Sequence, residues 1–127
     1  MSCIFCTIYE SNKSNILYES ENSFVIVDRY PMSKGHLLVI PKVHRSYLHE
    51  YKKEELSDVL DIYIKMVNKY NIKKYNLLQN NDNYQSVYHV HFHIIPCNSE
   101  LERLKIGWTH IEMDDSEFKE YCKNNFE

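Results

Sequence analysis

The stretch His89-Val90-His91-Phe92-His93-Ile94-Ile95 alternates histidine with apolar residues and runs into an apolar pair before Pro96. Strict alternation predicts a β-strand that is buried on one side, because successive side chains point to opposite faces. All three histidines would then lie on one face, roughly 6.6 Å apart at a rise of ~3.3 Å per residue. The sequence therefore predicts a strand over residues 86–95 that presents a row of imidazoles opposite an apolar face.

Two simple explanations of this row fit poorly. The solvent-facing side of a strand usually carries Thr, Lys, Glu or Ser, so three histidines on one face are an unusual way to make one. Zinc prefers a tetrahedral set of ligands, on which three imidazoles of one flat strand converge poorly. The residues therefore favour neither a solvated face nor a simple metal site.

The rest of the chain predicts an α+β domain around that strand. The predicted elements are a helix over 2–10 capped by Ser2, strands over 16–19, 24–28, 36–40 and 75–79, a long helix over 53–70 and a closing helix over 116–125. Strands before and after one long helix indicate a five-stranded antiparallel sheet with that helix packed on it.

The two later helices have apolar residues at helical spacing. In the long helix these residues recur every three or four positions, which places them on one face. They are Leu56, Val59, Leu60, Tyr63, Met66, Val67 and Tyr70. In the closing helix we expect Phe118 and either Tyr121 or Cys122 to face inward.

Length and composition indicate a single globular domain over residues 1–127. A chain with 43% apolar and 26% charged residues is typical of a folded protein with one modest core. The net charge of −3 has the wrong sign for broad binding to nucleic acid or an anionic membrane. With only two glycines, the chain has neither a G-x-x-x-x-G-K nor a G-x-G-x-x-G loop, so side chains or helix ends must hold any phosphate.

The sequence also predicts an intracellular protein, in the cytoplasm or the nucleus. The first twelve residues lack the basic stretch and apolar run of a secretory signal, and no stretch approaches the ~18 apolar residues of a membrane helix. In a reducing compartment, cysteines are more often metal ligands, catalysts or core residues than disulfides.

The pattern His-φ-His-φ-His-φ-φ, with φ apolar, resembles the signature of the histidine-triad (HIT) hydrolases and transferases. Three other stretches extend the resemblance over about residues 2–97, leaving a tail over 98–127. Asp28 to His44, D-R-Y-P-M-S-K-G-H-L-L-V-I-P-K-V-H, is similar to the family's second conserved block. Cys3-Ile-Phe-Cys6 resembles its common N-terminal opening, and Gln85-Ser86-Val87-Tyr88 is similar to the Hint-type branch.

The resemblance implies that His91, the middle histidine, attacks the α-phosphate of a purine nucleotide conjugate. Neutral imidazole is nucleophilic near pH 7, because its unperturbed pKa is ~6.5. A covalent nucleotidyl-histidine would form and then be resolved by water. The Hint-type branch favours nucleoside phosphoramidates such as AMP-amines as substrates. Alternatives are a dinucleoside polyphosphate hydrolase, a non-catalytic nucleotide-binding or scaffold protein, and a purely structural zinc module.

The resemblance also implies roles for the surrounding residues. His93 and Ser86 would surround the phosphate with Gln85 nearby, His89 would complete the triad, and His36 would support it. Asp28 would accept hydrogen bonds from the ribose hydroxyls, although an Asx turn before Pro31 explains the same residue. Candidate walls of a base pocket, each equally explained as ordinary core, are Phe5, Ile8, Phe24 and Ile26.

Cys3 and Cys6 form a CxxC pair with two interpretations. A thioredoxin-like redox pair needs a preceding strand, and only two residues precede Cys3. Some histidine-triad branches, including that of galactose phosphate uridylyltransferase, bind structural zinc with such a pair and two histidines, here His44 and His89. The alternative is a reduced pair packed as small hydrophobes. Cys97 and Cys122 have no partner at ligand spacing.

The chain departs from the family in two places. The loop over 80–85 lacks the usual glycines, so Tyr84 would crowd the phosphate or force the loop outward. Cys97 stands where many members carry Arg. Family members are usually two-fold homodimers that pair the long helix and a strand edge, and their tails often reach the partner's pocket. Trp108 is a candidate for that reach, although it could equally be a core or surface residue.

Overall fold

The computed structural model describes residues 3–126, which form three helices and five strands. The helices are α1 (Ile4–Ser11), α2 (Val59–Lys69) and α3 (Asp115–Phe126). The strands are β1 (Ile16–Glu19), β2 (Ser23–Val27), β3 (Leu37–Pro41), β4 (Tyr75–Leu78) and β5 (Phe92–Pro96). Single 3-10 turns cover Lys13–Asn15, Leu48–Glu50 and Lys53–Leu56.

The five strands form one antiparallel sheet in the order β1-β2-β3-β5-β4. This confirms the predicted α+β fold. His93 lies opposite Leu38 of β3 on one side and Leu78 of β4 on the other. The third histidine of the pattern is therefore held inside the sheet, while β1 and β4 are its edges.

The sheet separates two apolar clusters. On one face, α2 packs through Ile62 and Met66 against Val25, Val39 and Ile94. On the other face, Phe5 of α1 packs against four strand residues, which are Phe24, Ile26, Leu38 and Ile40. The predicted alternation holds within β5, because Phe92 and Ile94 join the α2 cluster while His93 pairs with Leu38 of the opposite cluster.

The predicted strand over 86–95 is too long. Residues 86–91 form a bent segment, and β5 begins only at Phe92. The Val90 N–H donates to the carbonyl oxygen of Arg45, at 3.0 Å, rather than to a neighbouring strand. His89 and His91 therefore precede the strand, and their directions are not fixed by strand alternation.

The predicted helix over 53–70 is also divided, with a 3-10 turn over Lys53–Leu56 before α2 starts at Val59. Asp58 separates the two, because its carboxylate accepts hydrogen bonds from the Ser20 and Ser23 hydroxyls and from the Asn22 N–H. Of the predicted apolar face, Leu60 is 64% exposed and Tyr70 43% exposed. Ile62, absent from the prediction, is buried.

The two terminal helices also differ from their predictions. α1 begins at Ile4 with Cys3 at its N-cap position, and the predicted cap Ser2 lies outside the described residues. α3 starts at Asp115 because Asp114 and Glu117 cap it reciprocally, each side chain accepting the other's backbone N–H. The predicted inward face of α3 was wrong for this chain, since α3 has no buried residue.

No helix within residues 3–126 combines the length and apolar character needed to cross a membrane.

Candidate active site

A groove of about 1170 Å³ opens on the α1 side of the sheet. We call it the histidine groove. His91 and His93 lie on its wall with Asp28, and apolar side chains from α1 and β2, including Phe5 and Ile26, line the remainder. The end of the bent segment and the start of β5 therefore bring the second and third histidines to one concave surface, as the sequence predicted.

The ring of His91 is held in one tautomer. Its Nδ1–H donates to the carbonyl oxygen of His89 at 2.8 Å, so Nε2 is left with a free lone pair. Burial lowers the pKa of His91, although the His89 carbonyl and the Asp28 carboxylate act in the opposite direction. The ring of Phe5 meets it edge-on with centroids 5.0 Å apart. His91 is therefore a neutral, oriented imidazole on the wall of the histidine groove.

His93 is held by a chain of hydrogen bonds that begins at the backbone. The Met32 N–H donates to His36 Nδ1 at 3.0 Å, so the proton of His36 lies on Nε2. That Nε2–H points to His93 Nδ1 at 2.9 Å and to the Asp28 carboxylate at 3.3 Å. The remaining proton of His93 then lies on its own Nε2, as a hydrogen-bond donor.

Burial keeps these two histidines neutral. It lowers the pKa of His93 to about 4, with help from neighbouring His91 and His36 and against the Asp28 carboxylate. Burial likewise lowers the pKa of His36, again opposed by Asp28. His36 is fully buried and does not line the histidine groove, so it supports the site through His93.

Gly35 allows the backbone to turn sharply just before His36. Its φ of 91° lies in the left-handed region that favours glycine, and an added Cβ would lie 3.3 Å from Cγ of Pro96. The turn after Pro31 therefore needs this glycine to return the chain to β3.

His89 faces away from the histidine groove. Its Nε2–H donates to the Pro41 carbonyl at 2.8 Å, which leaves the Nδ1 lone pair directed at the two sulfurs. The Nδ1 atom lies 3.4 Å from Cys3 Sγ and 3.6 Å from Cys6 Sγ. The expectation that His89 shares the reaction face with His91 and His93 was wrong, because the chain bends before β5.

The structure gathers Cys3, Cys6, His44 and His89 with their four ligand atoms all within 4.8 Å of one another. His44 Nδ1 lies 3.4 Å from Cys6 Sγ. Tetrahedral zinc, with bonds of about 2.3 Å to sulfur and 2.0 Å to nitrogen, would place sulfur and nitrogen about 3.5 Å apart. These residues therefore fit a closed Cys2His2 zinc set. Burial and the adjacent Cys3 raise the pKa of Cys6 to about 11, so a bound cation would be needed to hold it as a thiolate.

Asp28 forms an Asx turn and also lines the histidine groove. One carboxylate oxygen accepts the Tyr30 N–H at 2.8 Å, which is an Asx turn. The other oxygen lies beside His36, and the residue lines the histidine groove. The turn therefore orients a carboxylate toward the groove.

The segment before the histidines places Ser86 and Gln85 differently. Ser86 lines the histidine groove, as predicted. Gln85 is not among its lining residues, because its amide donates to the Ser46 and Val87 carbonyls and accepts the Asp82 N–H. Gln85 therefore stabilises the loop and does not face the groove. Its buried amide hydrogen-bonds three backbone groups, which explains why a glutamine occupies this position.

The glycine-free loop keeps a left-handed turn. Asp82 and Tyr84 have φ of 64° and 61°, and the Asp82 carboxylate accepts a hydrogen bond from the Tyr88 hydroxyl. Tyr84 is 88% exposed and does not line the histidine groove, so its side chain points outward and does not crowd the groove.

The candidate base-pocket residues divide into two groups. Phe5, Ile8 and Ile26 line the histidine groove, whereas Phe24 is buried in the core and does not. Leu38 and Tyr30 also line the groove and were not predicted. Strand alternation could have indicated Leu38, since it shares a face with Ile40 and pairs with His93.

A free imidazole lone pair, an imidazole N–H donor and a carboxylate thus meet beside an apolar wall in one groove. This arrangement is suited to nucleophilic catalysis on a substrate with a planar apolar group and a polar, hydroxyl-bearing part. Comparison with known proteins agrees with this class of site. The HIT domain model matches residues 10–100.

The adenosine 5'-monophosphoramidase of Schizosaccharomyces pombe is 41% identical over 122 residues, covering 94% of this chain and 92% of that protein. The Saccharomyces cerevisiae protein of the same description is 39% identical, covering 89% and 73%. The crystal structure of a histidine triad nucleotide-binding protein from Candida albicans has a TM-score of 0.87 at 34% identity, covering 97% of this chain and 94% of that one. The chain belongs to the histidine-triad (HIT) family.

Proposed function

We propose that this protein hydrolyses nucleoside phosphoramidates such as AMP-amines through a covalent nucleotidyl-His91 intermediate. The observation that carries the proposal is the His91 ring, whose Nδ1–H is committed to the His89 carbonyl and whose Nε2 is free. Similarity to two fungal adenosine 5'-monophosphoramidases supports an adenine nucleotide and a P–N bond as the target.

The reaction proceeds in two displacements at phosphorus. Nε2 of His91 forms a bond to the α-phosphorus as the P–N bond breaks, and the electron pair leaves with the amine nitrogen. The amine takes up a proton on the solvent side of the groove, where Ser86 is exposed. Water then attacks phosphorus, loses a proton to solvent, and releases the nucleoside monophosphate and neutral His91.

His93 stabilises the charge that develops on the phosphoryl oxygens. Its Nε2–H is oriented by His36 and is available as a donor, which costs no reorganisation during the reaction. Because burial holds its pKa at about 4, His93 donates as a neutral imidazole. The Asp28 carboxylate accepts the ribose hydroxyls, and Phe5, Ile8 and Ile26 enclose the base.

The cluster of Cys3, Cys6, His44 and His89 would hold one structural zinc ion. Two thiolates and two imidazoles leave no open position for substrate, so the metal would supply stability rather than chemistry. Its ligands lie in or beside α1, after β3 and before β5. The ion would thereby join α1, which provides Phe5 to the groove, to the segment that carries His91.

We also propose a two-fold homodimer and a cytoplasmic location. Leu60 and Ile64 on α2 are 64% and 59% exposed, and Leu77 on the edge strand β4 is 50% exposed. An exposed edge strand beside exposed apolar side chains is a suitable pairing surface. The four cysteines are free thiols, which suits a reducing compartment.

Steady-state kinetics with two substrates test the function. An AMP-amine should be hydrolysed with a higher kcat/KM than a dinucleoside polyphosphate, and His91→Ala should abolish turnover while AMP still binds. Preference for the dinucleotide would favour the polyphosphate hydrolase. AMP binding without turnover of either substrate by the wild type would indicate a non-catalytic binding protein.

A further inference from the structure

The turn between β2 and β3 carries the backbone amide that orients His36. The Met32 N–H donates to His36 Nδ1 at 3.0 Å, and the Ser33 carbonyl accepts the His36 N–H at 3.2 Å. Met32 and Lys34 are exposed, so their side chains are not packed in the core. The position of the Met32 amide therefore depends on hydrogen bonds that hold the turn.

Two side chains from beyond β5 hold this turn at Lys34. The Glu102 carboxylate accepts the Lys34 N–H at 2.8 Å, and the Asn98 amide donates to the Lys34 carbonyl at 3.1 Å. The same Asn98 nitrogen donates to the Glu102 carboxylate at 2.7 Å, so both amide hydrogens have an acceptor. Among residues 3–126, no other side chain from outside residues 28–36 hydrogen-bonds the backbone of residues 31–35.

The local fold fixes Glu102 and Asn98 relative to each other. The Asn98 N–H donates to the Glu102 carbonyl at 2.9 Å, and the Glu102 N–H donates to the Ser99 hydroxyl at 3.1 Å. The Lys34 N–H, followed by the Asn98 amide, lowers the pKa of the Glu102 carboxyl. Hydrogen bonds to an ionised acceptor are stronger than those between neutral groups. Since Asn98 follows the end of β5, the pair connects the strand that contains His93 with the turn.

We propose that Glu102, together with Asn98, is a positioning residue for the hydrogen-bonded chain from the Met32 amide through His36 to His93. Neither Glu102 nor Asn98 lines the histidine groove, so both act through the turn and touch no substrate. Glu102 also lies beyond residues 10–100, which the HIT domain model matches. The effect on turnover rests on the function proposed above, whereas the effect on the His36–His93 hydrogen bond does not.

Steady-state kinetics with an AMP-amine tests the effect on turnover. Glu102→Ala should lower kcat roughly tenfold, because a small displacement of a catalytic donor is costly, and KM should change less than twofold. Glu102→Gln keeps an oxygen that can accept both hydrogen bonds and should retain most of kcat. Glu100→Ala removes a carboxylate that is 87% exposed and pairs with Arg103, and it should match the wild type.

A double variant tests whether Glu102 acts through His36. If it does, adding Glu102→Ala to His36→Ala should cause little further loss of kcat, because residues in one network do not contribute independently. Losses that multiply would show that Glu102 affects turnover by another route and would overturn the proposal.

Proton exchange at His36 measures the positioning without any turnover. The Nε2–H of His36 is buried and hydrogen-bonded to His93, so its NMR signal in ¹⁵N-labelled protein should be protected from exchange with water. The signal is identified by its absence in His36→Gln. Its exchange should be at least tenfold faster in Glu102→Ala, and unchanged in Glu102→Gln and Glu100→Ala. Asn98→Ala should accelerate it as well, which provides a second variant if Glu102→Ala folds poorly.

The buried Val39 amide of β3 is the internal reference for these measurements. Equal acceleration at Val39 would show general destabilisation and would overturn the positioning role, as would unchanged His36 exchange in folded Glu102→Ala. If the wild type does not hydrolyse the AMP-amine, the catalytic proposal fails, while the exchange rates still decide whether Glu102 positions His36.

Discussion

His36 Nε2 lies 2.9 Å from His93 Nδ1, and this contact determines which nitrogen of His93 carries a proton. The Met32 N–H occupies the other nitrogen of His36, so the proton arrangement of both rings originates at a backbone amide. His36 therefore acts as a positioning residue for the neutral donor His93.

Replacing His36 by alanine should lower kcat for AMP-amine hydrolysis about a hundredfold, because His93 loses its orientation and its fixed tautomer. KM should change little, since His36 does not line the histidine groove. His36→Gln retains an N–H donor and should recover part of the loss. Steady-state kinetics on the folded variants measures kcat and KM. Equal effects of the two substitutions, or a change confined to KM, would contradict the positioning role of His36.

Acidification should destabilise the protein through His93. Its folded pKa of about 4 lies below the unfolded value of ~6.5, so the unfolded state binds more protons between these values and stability falls as pH decreases. Lowering the pH from 7.5 to 5.0 should cost about 2 kcal/mol from this residue alone.

Urea denaturation at the two pH values measures this loss, and the uncharged variant His93→Gln provides the comparison. The pH-dependent difference in unfolding free energy should be smaller in the variant than in the wild type. An unchanged difference would show that His93 is not the buried neutral group described.

Tyr84 adopts a left-handed φ of 61° that is unfavourable for a side chain with a Cβ, and it is 88% exposed. Tyr84→Gly should therefore stabilise the fold by about 1 kcal/mol. The adjacent Asn83→Gly, at a residue without positive φ, should instead destabilise by about 0.5–1 kcal/mol through chain entropy. Equilibrium unfolding of both variants tests the pair, and destabilisation by Tyr84→Gly would show that its side chain contributes a contact.

Metal analysis should find one zinc ion per chain in protein purified without chelator. Cys6→Ser should lose it and melt at a lower temperature, because two of the four ligands lie at the N-cap of α1 and in its first turn. Cys97→Ser makes the same chemical change outside the cluster and should retain the metal. Zinc retained by Cys6→Ser, or wild-type melting that is insensitive to chelator, would exclude the closed set.

Much of the sheet could be predicted because period-two alternation is a local property of the chain. Phe92, His93 and Ile94 take the faces that alternation assigns, and the order of strands around one long helix gives the layer arrangement. The proposed zinc ligands followed from family resemblance at positions far apart in the chain, and the structure brings those residues together.

Other features depend on tertiary contacts that no local pattern contains. His89 turns toward the cysteines because the Val90 N–H donates a hydrogen bond to the Arg45 carbonyl, so the chain does not continue as a strand there. The long helix divides at Asp58 because that carboxylate is held by residues before β2 and at its start. Gln85 is held by the backbone carbonyl of Ser46, which is distant in sequence. The exposure of the aromatic residues of α3 also depends on how the rest of the core is packed.

Trapping the covalent intermediate tests the role of His91 most directly. The protein is mixed with an AMP-amine, quenched within a single turnover in alkaline denaturant, digested and sequenced by mass spectrometry. We predict an adenylyl group on His91, and none in His91→Ala. Adenylation of His93 or of another residue, or rapid single-turnover release of AMP with no adduct on His91 above the level of His91→Ala, would contradict nucleophilic attack by this imidazole.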